Sequence, residues 1–289
     1  MKLKSLNLPP SINYVGAFLT YSCNMNCSYC INKHDGFIGN GEMSTLDWIR
    51  GLSRIKVRPD LPITLQGGEP TFKHGFYKIV NGLYALGKHL DLLTNGLFVL
   101  KEFTANVPQN AFRSSAPYAG IRLSFHAKTN AFMLVTLASD LQKAGYSVGI
   151  WGLDHPMHEE DNDEITDMCV SLGIDFRLKD FLGLDKDKVL WGSYRYKGAV
   201  CGKNARTVLC KGSEILIGPS GHLYRCHHDL YNGVAPYGHI LDRDITLPGF
   251  IQCSNYGHCS PCDIKEKVNR LQQHGHCAVV IKEVGGGEL

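Results

Sequence analysis

Over roughly the first 180 positions, short runs of branched and aromatic residues alternate with longer segments whose apolar residues recur every three or four places. The runs predict six strands, at Tyr14–Tyr21, Pro62–Gln66, Leu90–Thr94, Gly120–Phe125, Ser147–Leu153 and Asp175–Lys179. The periodic segments predict helices: one opened by Ser44 with Asp47 three residues on, then Gly75–Lys88, Thr129–Ala144 and Asp161–Leu172. Repeated strand–helix units build a mainly parallel sheet, with its chemistry at the strand C-terminal ends. Near residue 180 the repeat stops. Gly/Tyr/Lys-rich connections then lead to a predicted hairpin, Glu214–Ile217 and His222–Arg225 around Gly218-Pro219-Ser220-Gly221, and the Gly285-Gly286-Gly287 tail reads as frayed.

At 289 residues the chain can bury a sizeable core, and we expect one and a half domains. A net charge of +3 with Lys and Arg scattered does not describe a nucleic-acid surface. No apolar run approaches the roughly 18 to 20 residues that span a bilayer, so no membrane partner is expected. Eleven cysteines, an odd number without a signal peptide, read as metal ligands in a reducing cytoplasm rather than as disulfides.

Directly after the first predicted strand stand Cys23, Cys27 and Cys30, separated by the polar Asn24, Asn26, Ser28 and Tyr29. Thiolates suit iron–sulfur clusters, and three on one short loop can hold three irons of a four-iron cubane, leaving the fourth iron open for chemistry. Zinc is the alternative, but it usually takes a fourth protein ligand and none sits close in sequence. The Cys-x3-Cys-x2-Cys loop, with the aromatic Tyr29 before its last cysteine, resembles the signature of the radical S-adenosylmethionine (SAM) superfamily.

Three further stretches resemble that family at the expected strand ends. Gly67-Gly68-Glu69-Pro70 follows the second strand, where glycines allow close backbone approach and Glu69 or nearby carbonyls can receive the SAM ammonium. Thr94-Asn95-Gly96 closes the third strand, as part of the SAM pocket or as a plain turn. Ser124 and His126 end the fourth, resembling the polar pair that meets the SAM carboxylate and ribose, with a supporting or solvated role for His126 as the alternative. Over residues 12–185 the resemblance implies a partial (β/α)6 barrel. It also implies a SAM-binding [4Fe–4S] cluster, SAM as cofactor, and cleavage to a 5′-deoxyadenosyl radical that abstracts hydrogen from the substrate.

The second cysteine set resembles the auxiliary-cluster motifs of SPASM and Twitch domains, which implies a small cysteine-rich domain over 195–280. Cys210, then Gly221, then Cys226 match the first half of the motif; Cys253, Cys259 and Cys262 follow, with Cys277 near the end. The leading cysteine of a full SPASM domain is missing. One auxiliary [4Fe–4S] cluster on Cys210, Cys226, Cys259 and Cys262 is therefore expected, with Cys201 and Cys253 in reserve and Cys277 undecided. A zinc ribbon is the alternative. Cys169, inside a helical segment, is expected to be core.

Other polar residues have two readings each. Asp154, His155 and His158 follow the fifth strand, at the barrel mouth or in a simple turn. Arg177 and Lys179 share a face of the sixth strand, with Asp180 next to them; an inward Arg177 would meet SAM or an anionic substrate. His227, His228 and Asp229 lie beside Cys226 or face water. The resemblance implies an oxidoreductase, carbon–carbon bond-forming or rearranging enzyme, with a reductant such as flavodoxin or ferredoxin. Because 22 residues precede Cys23, too few for a leader-binding domain, we expect a small biosynthetic substrate: a sugar, nucleotide or amino-acid derivative. The alternatives are a peptide or protein maturase and a non-enzymatic zinc- or cluster-binding module.

Overall fold

The computed structural model describes residues 3–27, 30, 41–112, 119–126, 129–154, 158–180, 184–185, 188–189, 206–256 and 279–284. The short β1 (Leu6–Asn7) pairs in parallel with β3 (Ile55–Lys56), which follows α1 (Thr45–Ser53). The main sheet is built on β2 (Tyr14–Thr20), β4 (Ile63–Gly67), β5 (Leu90–Thr94), β6 (Ile121–Ser124), β7 (Val148–Asp154) and β8 (Asp175–Asp180), all parallel and adjacent in chain order. Between them run α2 (Phe76–Ala85), α3 (Leu100–Asn106), α4 (Ala131–Lys143) and α5 (Glu159–Leu172). This is the mixed α/β arrangement of a partial barrel. The six expected strands are all present, each within a residue or so of its predicted ends.

Local chemistry sets the helix boundaries. Ser44 caps α1, its Oγ accepting from Asp47 N at 3.2 Å, and Asn130 caps α4 by accepting from Met133 N at 2.9 Å. The helix expected over Gly75–Lys88 stops at Ala85, since Gly87 turns the chain with φ 69°. Its first residues are fixed by Gly75, at φ 80°, where a Cβ would strike Thr45 Oγ1 at 2.2 Å. Helix α3 was not expected; it has only seven residues and one fully buried side chain, Phe103, so its apolar period is too short to register.

The two faces of the sheet differ. Val15, Ala17, Leu19, Ile63, Leu65, Leu92, Ile121, Leu123 and Ile150 pack in one core with Trp48 and Leu52 of α1, Ile79 and Leu83 of α2, and Leu134 and Leu141 of α4. The alternate positions carry Tyr14, Phe18, Thr64, Gln66, Asp91, Arg122, Ser124, Trp151 and Arg177. Buried in this inner face, Arg122 Nη2 meets Asp91 Oδ2 at 2.8 Å. Arg177 lies over the buried Trp151 ring, 5.6 Å from its centroid, and its Nε reaches both Asp175 oxygens at 3.0 Å. Arg177 is thus on the inner face.

After β9 (Leu184–Asp185) and β10 (Lys188–Val189), an antiparallel pair, comes β11 (Arg206–Gly212). The hairpin expected after it forms as β12 (Glu214–Ile217) and β13 (His222–Tyr224), with Gly221 at φ 87°. Strand β12 adds in parallel to β2, Glu214 opposite Tyr14 and Ile217 opposite Ala17. Strand β14 (Gly238–His239) extends the sheet beyond β13, completing nine strands among the described residues. The short α6 (His227–Asn232) lies between them. Antiparallel β15 (Ile251–Tyr256) and β16 (Val279–Glu283) flank β11 in a separate three-stranded sheet that was not foreseen. Among the described residues, no helix is long and apolar enough to cross a membrane.

Candidate functional site

The cysteine loop leaves the C-terminal end of β2 and is laid directly on the Gly67–Pro70 turn that leaves β4. Gly68 N donates to Thr20 O at 2.8 Å and Glu69 N to Ser22 O at 2.9 Å. The two glycines allow this closeness. Gly67 has φ 142°, and a Cβ there would meet Thr20 O at 2.2 Å; a Cβ on Gly68 would meet both Tyr21 O and Ser22 O at 2.4 Å. Thr20 Oγ1 accepts from Ser22 N at 3.0 Å and donates to Glu42, which Lys73 Nζ pairs at 2.6 Å.

Glu69 is fully buried and holds four protein donors. Its Oε1 accepts from Thr71 N at 2.9 Å, Thr71 Oγ1 at 2.5 Å and Thr94 Oγ1 at 2.7 Å, and its Oε2 from Asn95 N at 2.7 Å. Burial pushes its carboxyl above the ordinary range, and these donors pull it back. The carboxylate therefore ties the β4 turn to the end of β5.

Asn95 carries the connection on to the cysteines. Its Nδ2 donates to Asn24 Oδ1 at 2.8 Å and to Cys23 Sγ at 3.7 Å, while its Oδ1 accepts from Leu97 N at 2.9 Å. Asn24 Nδ2 donates back to Leu97 O at 3.1 Å, and Met25 N reaches Cys23 Sγ at 3.3 Å. Cys23 is exposed, Cys27 and Cys30 half-buried. Desolvation raises the Cys23 thiol and the Glu69 charge adds to this, against the N–H donors of Met25 and Asn95. Sequence reasoning gave Asn24 and Leu97 no task. Their part follows from the β5–α3 connection folding onto the loop, which no spacing records.

Ser124, half-buried, ends β6, and His126 opens the connection to α4, where its carbonyl accepts from Thr129 N at 2.7 Å. Burial, reinforced by the charges of Lys179 and His158, pushes His126 down to about 4. His158 lies buried just before α5, 3.7 Å from Asp161, and Asp154 is the last residue of β7. His155 lies outside the described residues.

Of the second cysteine set, Cys210 is buried on β11 and Cys226 caps α6, its Sγ accepting from Asp229 N at 3.4 Å. Cys253, on β15, packs against the small core of Val208, Cys210 and Tyr256. The Arg225 guanidinium holds its charge more firmly because Asp229 bonds it at 2.6 Å and because Cys226 and Cys253 are near, against the opposing effect of burial. His227 is not solvated: its Nδ1 lies 3.1 Å from Glu214 Oε1, both buried, and its ring sits among Tyr14, Phe18 and Tyr231. His228 Nε2 lies 3.2 Å from Asn255 Nδ2 of β15. Cys201, Cys259, Cys262 and Cys277 lie outside the described residues. Cys169 is core, as expected, its thiol pushed up to about 11 by burial. Among the described residues no three His, Cys, Asp or Glu side chains converge closely enough to hold a single metal ion.

The family model of the Radical SAM superfamily matches residues 18–109, which contain the cysteine loop, the Gly67–Pro70 turn and Thr94–Gly96. Streptococcus suis SuiB bound to S-adenosylmethionine shares the fold at TM-score 0.55 and 14% identity, over 80% of this chain and 62% of that one. Streptococcus suis SuiB bound to precursor peptide SuiA matches at TM-score 0.57 and 14% identity, over 80% and 63%. A histidine-tagged anSMEcpe with bound AdoMet matches at TM-score 0.52 and 15% identity, over 78% and 75%. This chain spans less than two thirds of the SuiB length. Residues 18–109, which carry the motif residues, thus match the radical SAM superfamily model, and the solved structures share the fold.

Proposed function

We propose that the chain is a radical SAM enzyme acting on a peptide or protein. The observation that carries the reading is the weld of three motifs into one mouth: Glu69 joins the β4 turn to Thr94 and Asn95, and Asn95 joins both to Cys23 and Asn24. The donor set fits a four-iron cluster. Cys23, Cys27 and Cys30 are soft thiols on one loop, a cubane spreads its ligands over separate irons, and two N–H groups already point at Cys23 Sγ. When bound, the cluster and SAM would together supply reductive cleavage of the sulfonium and a 5′-deoxyadenosyl radical that abstracts hydrogen.

The chain's own residues bind and orient. Backbone carbonyls at Gly67 and Gly68 receive the SAM ammonium, with Glu69 fixing the turn from below. Thr94, Asn95, Ser124 and His126 line the remainder of the SAM pocket, His126 neutral at physiological pH. Arg177 and Trp151 face the substrate from the inner surface of β7 and β8.

The SuiB complex with precursor peptide SuiA favours the peptide alternative over the small-molecule expectation. Cys210, Cys226, Cys259 and Cys262 hold one auxiliary cluster in this reading, with Cys253 beside Cys210 as the reserve ligand. A flavodoxin or ferredoxin supplies electrons.

The test is anaerobic reconstitution followed by dithionite reduction with SAM. The expected result is 5′-deoxyadenosine, formed faster when the cognate peptide is present, and deuterium from labelled peptide recovered in the nucleoside. A colourless zinc protein that leaves SAM intact would refute the enzyme reading. Deuterium arriving from a sugar or nucleotide instead would restore the small-molecule one. Iron analysis of the Cys23/Cys27/Cys30 triple-Ala protein counts what remains: about four irons for one auxiliary cluster, about eight for two.

A further inference from the structure

We propose that Asn95 is a positioning residue for the Cys23 thiolate, and that Glu69, by holding Asn95, helps to set the reduction potential of the cluster that Cys23 would share. This rests on the reading of Cys23, Cys27 and Cys30 given above, and it assigns Asn95 a task beyond lining the SAM pocket.

The orientation of the Asn95 amide is dictated by its neighbours. Its oxygen takes the Leu97 N–H at 2.9 Å, so its nitrogen must be the end that meets Asn24 Oδ1 at 2.8 Å and Cys23 Sγ at 3.7 Å. A flipped amide would set oxygen against oxygen at Asn24 and N–H against N–H at Leu97. The backbone of Asn95 is pinned as well, its N–H donating to the buried Glu69 Oε2 at 2.7 Å. A buried acceptor, a fixed peptide and a fixed side chain thus aim one N–H at one sulfur.

Reduction of a cluster increases the negative charge on its sulfurs. A donor aimed at a ligating sulfur stabilises the reduced form and raises the potential, which is how outer residues tune such centres. Without the Asn95 donor the one-electron reduction should become about tenfold less favourable, which is a shift of about 59 mV to more negative potential. Asn95→Asp, which removes the donor and adds charge, should shift it further than Asn95→Leu.

The experiment is an EPR-monitored redox titration of the reconstituted full-length chain, with the Cys23-loop cluster recognised by the change in its signal when SAM is added. A negative shift in Asn95→Leu with iron content retained supports the proposal, and an unchanged midpoint overturns it. Should the Leu variant fail to load iron, Asn95→Ser decides: its hydroxyl can still accept from Leu97 N but is too short to reach Cys23. Its midpoint must then be the shifted one. If all three variants fold by circular dichroism yet none assembles the cluster, Asn95 is scaffold and the tuning role is wrong. Wild-type protein lacking any SAM-responsive signal would defeat the functional reading itself, which separates the two failures.

Discussion

The two cysteine regions of this chain are held in opposite ways. The described part of the short amino-terminal loop lacks regular structure, yet it is pinned by buried polar groups from two neighbouring strand ends: Glu69, Thr94 and Asn95. The described carboxy-terminal cysteines sit on regular elements, Cys210 on β11, Cys253 on β15 and Cys226 at the start of α6, with Cys210 and Cys253 packed in one small core. In the reading proposed above, the difference suits different tasks. A site that must present an open iron to a small cofactor needs its ligand loop fixed from outside, whereas a fully ligated cluster is itself the cross-link between the strands that hold it.

The sharpest break between the regions is by ligand removal. Replacing Cys23, Cys27 and Cys30 together by Ala should abolish 5′-deoxyadenosine formation completely and leave the second region's iron in place. Replacing Cys210 and Cys226 should do the reverse to the iron, and residual SAM cleavage measured by chromatography should persist. If the amino-terminal triple variant still cleaved SAM, the assignment of the two regions would be inverted.

Next in size is Gly68→Ala. The added methyl would collide with two backbone oxygens of the cysteine loop, at 2.4 Å each, and neither is the end of a flexible side chain. Overpacking of this kind costs roughly 1 to 3 kcal/mol, and the loop must move to relieve it. Iron loading by the first region should fall severalfold while the second region's stays constant. Equal loss from both would mean that the glycine serves the whole fold rather than the loop.

Glu69 gives a more specific effect. Glu69→Ala leaves four donors facing an empty site, which should lower stability by roughly 1 to 3 kcal/mol in denaturant titration. The pH dependence has a definite sign. Burial raises the native carboxyl above its unfolded value of 4.5, so the native state binds the proton more tightly. The group's stability contribution is then largest at low pH and declines as pH rises from 4.5 through the native value. In Glu69→Gln that decline should be absent; a variant with the wild-type slope would place the titration on another group.

Much of the barrel was legible because a parallel strand buried on both faces, such as Val15–Thr20, is a nearly continuous apolar run. The motif residues were legible because glycine and cysteine spacing survives as sequence. What could not be read is what depends on a meeting of distant segments. Glu69 reads as a ligand in sequence, and its role as a strut between strand ends is invisible there, since its partners come from Thr71 and from 25 and 26 residues away. The Glu214–Ile217 hairpin was visible by its turn, but its attachment to β2 was not, because nothing in a strand states its neighbour. In sequence His227 has a cluster-side and a solvent reading, and only its partner Glu214, on that same attached strand, shows why it is buried.

The narrowest effect, confined to one pH window, comes from His126, which follows β6 at the mouth. Its imidazole is desolvated and lies near the charges of Lys179 and His158, which together hold its native value at about 4 against 6.5 for a free ring. Above 6.5 the ring is neutral in both folded and unfolded chains and imposes no cost. As pH falls from 6.5 to about 4 the unfolded chain takes up the proton first, so stability is lost through that window and no further below it. The size should be on the order of 2 kcal/mol, taking account of partial solvent screening. His126→Asn should flatten the stability profile between pH 6.5 and 4 while leaving the Glu69-dependent slope untouched, because the groups that shift His126 and those that shift Glu69 are different sets. Denaturant midpoints measured across that range in the single and double variants would decide it, and non-additive slopes would show that the pocket's two walls titrate as one unit.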